Sequence, residues 1–194
     1  MNRMENFSEN MEAQYENQLR VGKEFEKIDV VAKKIVEKYG EYKELKGFVG
    51  YLKGMEKIFA EAKINNWKDE KIKEDIVENE IHFLSAGSGL DEDIFKTIRD
   101  DFGMVYFTVQ QIYDVAEKLL EKYSACEECK MFIEYMKKVS LLFLEAKKEG
   151  WSLSIIKDNL CRYRMQKFSA DGVPELELLE QVKMEFESAI SDIK

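Results

Sequence analysis

Apolar residues recur every three or four positions along nearly the whole chain, a rhythm that predicts α-helices and leaves no segment with the alternation of a strand. The stripe starts thinly at Phe7, Met11, Tyr15 and Leu19, where a frayed helix is expected. It strengthens through Val21, Phe25, Ile28, Val31, Ile35 and Tyr39, and Gly40 closes it. A second helix is expected over about 41–65, with Leu45, Phe48, Val49, Leu52, Met55, Phe59 and Ala62 on its apolar face. A third is expected over 68–84, with Ile72, Ile76, Val77, Ile81 and Leu84 turned inward. Ser85-Ala86-Gly87-Ser88-Gly89 then interrupts the pattern and predicts a linker. The fourth helix begins near Asp91 and carries Phe95, Ile98, Phe102, Val109, Ile112, Ala116 and Leu119, with Gly103 as a candidate kink. A fifth covers about 125–149 and a sixth 152–168. A seventh follows Pro174, with Leu176, Leu179, Val182, Met184, Phe186 and Ile190 inward. The expected fold class is all-α, with seven helices.

The pattern also repeats. Shifted by 84 positions, residues 31–98 align without a gap on 115–182, and 20 of these 68 positions are identical. Val31-Ala32 meets Val115-Ala116, Glu37-Lys38-Tyr39 meets Glu121-Lys122-Tyr123, and Phe48, Tyr51, Phe59 and Trp67 meet Phe132, Tyr135, Phe143 and Trp151. Such fixed-period similarity marks a duplicated structural unit. The expected organisation is a first helical repeat over 1–86, a Gly/Ser linker over 87–90, and a second repeat over 91–194 that ends in a capping helix. A residue kept in both copies is assigned to the shared scaffold, so the tryptophans are expected to plug the ends of the helical cores. A residue that differs is free for another role.

Composition narrows the setting. A single proline among 194 residues leaves long helices uninterrupted. Charged residues at 36% and a net charge of −9 describe a solvated surface and argue against general nucleic-acid binding, which needs a basic footprint. No apolar run approaches a membrane span, and three cysteines are too few for a secreted disulfide scaffold. A cytoplasmic protein with no membrane partner and no cofactor is expected.

Candidate chemistry is sparse. Cys126-Glu127-Glu128-Cys129 has the spacing of redox and zinc sites, but Cys161 and His82 are the only further soft ligands. The first copy has Tyr42, Leu45 and Val77 where the second has Cys126, Cys129 and Cys161. Packing is therefore the favoured role for the cysteines, above metal binding or redox chemistry. His82, the single histidine, has no triad partners, and Asn79 stands where a di-iron motif would need an acid. No catalytic residue and no metal ligand is expected.

One contrast between the copies remains. Segment 68–84 has three lysines against six carboxylates, net −3, whereas 152–168 has four basic residues against Asp158 alone, net +3. Lys157, Arg162, Tyr163, Arg164 and Lys167 are the candidate binding residues. The plainer alternative is that this basic face pairs with acidic neighbours in the fold, the strongly acidic region 171–194 of the seventh helix being one candidate. Segment 146–168 also resembles a helix-turn-helix: Ala146, Gly150 and Ile156 match its small residue, turn glycine and buried aliphatic, although Glu149 occupies a position that is normally apolar. The expected function is non-enzymatic binding of another macromolecule, a protein in the first instance, by analogy an inhibitor, an immunity-type protein or an adaptor. The alternative is a DNA-binding regulator that uses 146–168.

Overall fold

The rhythm becomes helix wherever nothing stops it, and the stops are local and specific. The computed structural model describes the backbone of residues 2–66, 70–143, 161–167, 169–170 and 175–191, and most of their side chains. The helices are α1 (Asn2–Tyr39), α2 (Lys43–Ile64), α3 (Glu70–Ser88), α4 (Glu92–Lys122), α5 (Glu127–Phe143), α6 (161–167) and α7 (Leu176–Ser191). Among the described residues there is no strand. The thin stripe at the start is part of α1, which runs unbroken from Asn2.

Gly40 ends α1, where its N–H donates to the Val36 carbonyl at 2.7 Å and a Cβ would collide with that same oxygen. Asn66 turns the chain after α2 with a left-handed φ of 62°, a conformation that asparagine tolerates. The expected linker is shorter than its composition suggests. Ser85 to Ser88 are helical, and the break falls at Gly89, whose φ is +70°. Ser88 keeps the helical turn by donating its Oγ to the Leu84 carbonyl at 2.6 Å. Asp91 then caps α4, accepting the Asp93 N–H at 3.1 Å on its side chain. α4 continues as helix through Gly103.

Two units account for the buried side chains, Met1–Tyr106 and Phe107–Lys194, and α4 contributes to both. In the first, Ile28, Val31 and Ile35 of α1 are buried with Leu45, Phe48, Val49 and Leu52 of α2. Val77 and Ile81 of α3 and Phe95, Ile98 and Phe102 of α4 complete that set. Phe48 meets Phe95 edge to face at 5.3 Å. In the second, Ile112, Ala116 and Leu119 of α4 are buried with Cys129, Phe132, Ile133, Met136 and Val139 of α5. Cys161 and Met165 of α6 and Leu179, Val182 and Phe186 of α7 are buried there too. Each fully buried Leu, Ile or Phe contributes about 1.5–3 kcal/mol relative to exposure.

Four apolar residues expected to face inward do not. Ile72, Ile76, Leu176 and Met184 are 51%, 39%, 39% and 64% exposed. At about 100° per residue, Ile76 and Ile72 sit roughly 100° and 140° around α3 from Val77, so the arc of Val77, Ile81 and Leu84 leaves them outside. Met184 lies roughly 160° from Val182 on α7 by the same geometry.

Candidate functional site

The described part of α6 has two faces that its sequence separates. Cys161 and Met165, four residues apart, are buried, and Cys161 Sγ lies 3.1 Å from Met136 Sδ. Arg162, Tyr163 and Lys167 point outward, with Tyr163 69% exposed. Arg164 is half-buried, its guanidinium 5.4 Å from the centre of the Tyr135 ring. Of the five candidate binding residues, then, three are exposed and Arg164 packs on a neighbouring aromatic. Lys157 lies outside the described residues, as do Ala146, Gly150 and Ile156 of the helix-turn-helix-like segment and both tryptophans.

Two carboxylates of α7 are engaged by groups outside α6. The carboxylate of Glu185 takes Lys122 Nζ at 2.6 Å, the Tyr123 hydroxyl at 3.0 Å and Gln181 Nε2 at 3.0 Å. Glu187 takes Lys183 at 3.0 Å. The hydrogen bond from Lys122, foremost among these contacts, holds the Glu185 carboxyl below its ordinary value despite partial desolvation.

The positions 84 residues earlier lie on α3 and have a different chemistry. Ile76, Asn79 and Phe83 on α3 stand 84 positions before Leu160, Tyr163 and Lys167. Phe83 is 73% exposed, and with Ile72 and Ile76 it forms an outward apolar stripe beside Asp75 and Glu80.

His82 is exposed on α3, its Nδ1 3.2 Å from Glu92 Oε2 at the start of α4. Glu78, His82 and Glu92 bring one ligand atom each within 4.8 Å of one another. Cations already neutralise both carboxylates: Arg99 pairs with Glu78, and Lys96 Nζ lies 2.7 Å from Glu92 Oε1. Sequence spacing alone missed this grouping, because Glu92 joins it across the Gly89 break.

The cysteines hold the largest departure from expectation. Cys129 and Cys161 are fully buried, in keeping with packing. Cys126, however, is half-buried, and its sulfur is bonded to that of Cys129. Cys126 stands just before α5, its carbonyl accepting the Lys130 N–H at 3.1 Å and its Sγ accepting the Cys129 N–H at 3.2 Å. Helical geometry brings the two thiols together, since i and i+3 lie on one side of a first turn. The 84-residue offset could not reveal this, because the aligned Tyr42 and Leu45 carry no thiol.

No protein-family model matches this chain, and neither the curated proteins nor the solved structures hold a match to it. No described helix is long and apolar enough to cross a membrane.

Proposed function

We propose that the chain is a tandem pair of three-helix units capped by α7, and that it acts without catalysis by binding another macromolecule, a protein in preference to nucleic acid. Contacts that recur at the 84-residue offset support the duplication. Lys122 and Tyr123 meet Glu185 as Lys38 and Tyr39 meet Asp101, and Phe132 stacks on Tyr135 as Phe48 stacks on Tyr51. On this reading α7 does for the second unit what the first half of α4 does for the first.

The observation that carries the binding proposal is the outward face of α6. Arg162, Tyr163 and Lys167 are exposed together, and neither cation is paired with a described carboxylate although the chain carries 39 of them. A solvated tyrosine between cations suits an acidic protein surface, where the ring supplies area and the cations supply steering. The net charge of −9 opposes a polyanionic partner. An inhibitor, immunity-type protein or adaptor fits these properties by analogy.

The test compares wild type with the double substitution Arg162→Glu/Lys167→Glu, which leaves Arg164 on Tyr135 undisturbed. Partners captured by the wild type would be identified and their affinities measured by calorimetry. A loss of about tenfold or more is expected, roughly the 1.4 kcal/mol or more that separates a contributing charged pair from a neutral one. Unchanged affinity removes this face as the site. A gel shift with duplex DNA at low salt gives no retarded band on the protein-binding reading, and a salt-sensitive band favours the regulator that uses 146–168.

A further inference from the structure

The pair Cys126 and Cys129 differs from the rest of the second core in three respects that bear on chemistry. First, the turn does not need it. In the first unit Tyr42 occupies the same pre-helical position, its carbonyl accepting the Lys46 N–H at 3.1 Å just as Cys126 accepts that of Lys130. Tyr42 makes no side-chain cap, so the fold builds this turn without any help from sulfur. Second, the two sulfurs are within bonding reach, and one is accessible while the other is not. Cys126 is half-buried and Cys129 is 0% exposed. Third, a disulfide that closes so short a loop restrains the unfolded chain far less than a long-range bridge does, so a stapling role is the weakest explanation for it.

We propose that Cys126 and Cys129 form a redox-active dithiol–disulfide couple that exchanges with an external disulfide through Cys126. In the oxidising direction, the Cys126 thiolate attacks one sulfur of the external disulfide. A Cys126–sulfur bond forms, the external S–S bond breaks, and the departing thiolate takes a proton. Cys129, having lost its own proton to solvent, then attacks the Cys126 sulfur. The Cys126–Cys129 bond forms and the second external thiol leaves. One external disulfide is reduced to two thiols as the protein dithiol is oxidised, and no other oxidant enters.

The roles follow from position. Cys126 is the sulfur a solute can reach, and its Sγ accepts the Cys129 N–H at 3.2 Å, a donor that stabilises a thiolate at the start of a helix. Cys129 sits behind it as the resolving thiol. Glu127 and Glu128 follow Cys126 directly, so an uncharged or cationic disulfide approaches more readily than an anionic one. Cys161, buried against Met136, takes no part.

The experiment uses the full chain in buffers of 2-mercaptoethanol and its uncharged disulfide, bis(2-hydroxyethyl) disulfide. Acid quenching, alkylation and peptide mass measurement report each cysteine separately. Cys126 and Cys129 should oxidise together and reversibly. The ratio of oxidised to reduced protein should change about tenfold for each tenfold change in the ratio of disulfide to squared thiol, as a two-electron couple requires, while Cys161 stays alkylatable. Cys129→Ser should trap the mercaptoethanol adduct on Cys126, and Cys126→Ser should trap little on Cys129. The inference is overturned if both thiols stay alkylatable in excess disulfide, or if the pair stays oxidised at the most reducing ratio. A Cys126→Ser protein that keeps its wild-type circular dichroism and modifies Cys129 as fast as Cys129→Ser modifies Cys126 also overturns it.

Discussion

Phe48 and Phe132 occupy positions 84 residues apart, both fully buried and both stacked on a tyrosine three residues on, and Phe48 also meets Phe95 edge to face. Phe48→Ala and Phe132→Ala should each cost about 3–5 kcal/mol. Urea titration of each variant checks the size; a loss under about 1 kcal/mol at either position would mean that its ring is not packed in a core. Glu185 carries a pH prediction. Its folded pKa lies below the ordinary 4.5, chiefly through the Lys122 hydrogen bond, so its charge stabilises the fold above that value. That stabilisation fades as pH falls through the lowered folded value. Glu185→Gln should therefore be less stable than wild type at pH 7, and the gap should narrow as pH falls below the ordinary 4.5 and close beneath the lowered folded value, as thermal melts across that range would show. The paired aromatics and lysines were legible as identities between copies. The carboxylates that receive them, Asp101 and Glu185, were not, because an acid on a helix face looks the same whether it faces water or a partner.

The phase of a helix was harder to read than its existence. For α3 the sequence offered five apolar residues to one inward face, but a single helix cannot turn Ile72, Ile76, Val77 and Ile81 the same way. Packing chose the arc of Val77 and Ile81, and the outward Ile72, Ile76 and Phe83 became visible only in the fold. Substitution separates the two sets. Ile81→Ala should cost about 2–5 kcal/mol, and Ile76→Ala should stay within about 0.5 kcal/mol of wild type apart from the small gain of alanine's helix propensity. Equal losses would mean that Ile76 is buried in solution, against another copy or a tightly held partner. The boundary of α3 was misjudged for a related reason. Ser85 to Ser88 have turn-like composition, yet Ser88 completes its turn through its own hydroxyl and only Gly89 needs the left-handed conformation.

At the scale of the whole chain, the doubled rhythm gave the helix order directly, since hydrophobic period and glycine stops are local signals. The partition of buried side chains is not local. The spatial division at Tyr106–Phe107 runs through α4, which carries an unbroken apolar stripe across it. The two halves of that helix nevertheless serve different partners. Asp101 receives Lys38 and Tyr39, and Tyr106 donates to Glu24 at 2.8 Å, whereas Lys122 reaches Glu185 and the Tyr113 ring lies 4.4 Å from Lys137 Nζ. Amide hydrogen exchange reads this partition in the intact protein. If the cores open separately, Phe132→Ala should speed exchange in α5, α7 and the second half of α4 by about a hundredfold, the equivalent of ~3 kcal/mol, and leave α1 and α2 near their wild-type rates. Phe48→Ala should give the reverse map. The slope should fall along α4 itself, between Tyr106 and Ile112, because a continuous helix can fray from one side without losing the turns that the other core holds. Equal acceleration everywhere in either variant would mean that α4 couples the two cores into one cooperative fold, and the division by buried side chains would then have no counterpart in stability.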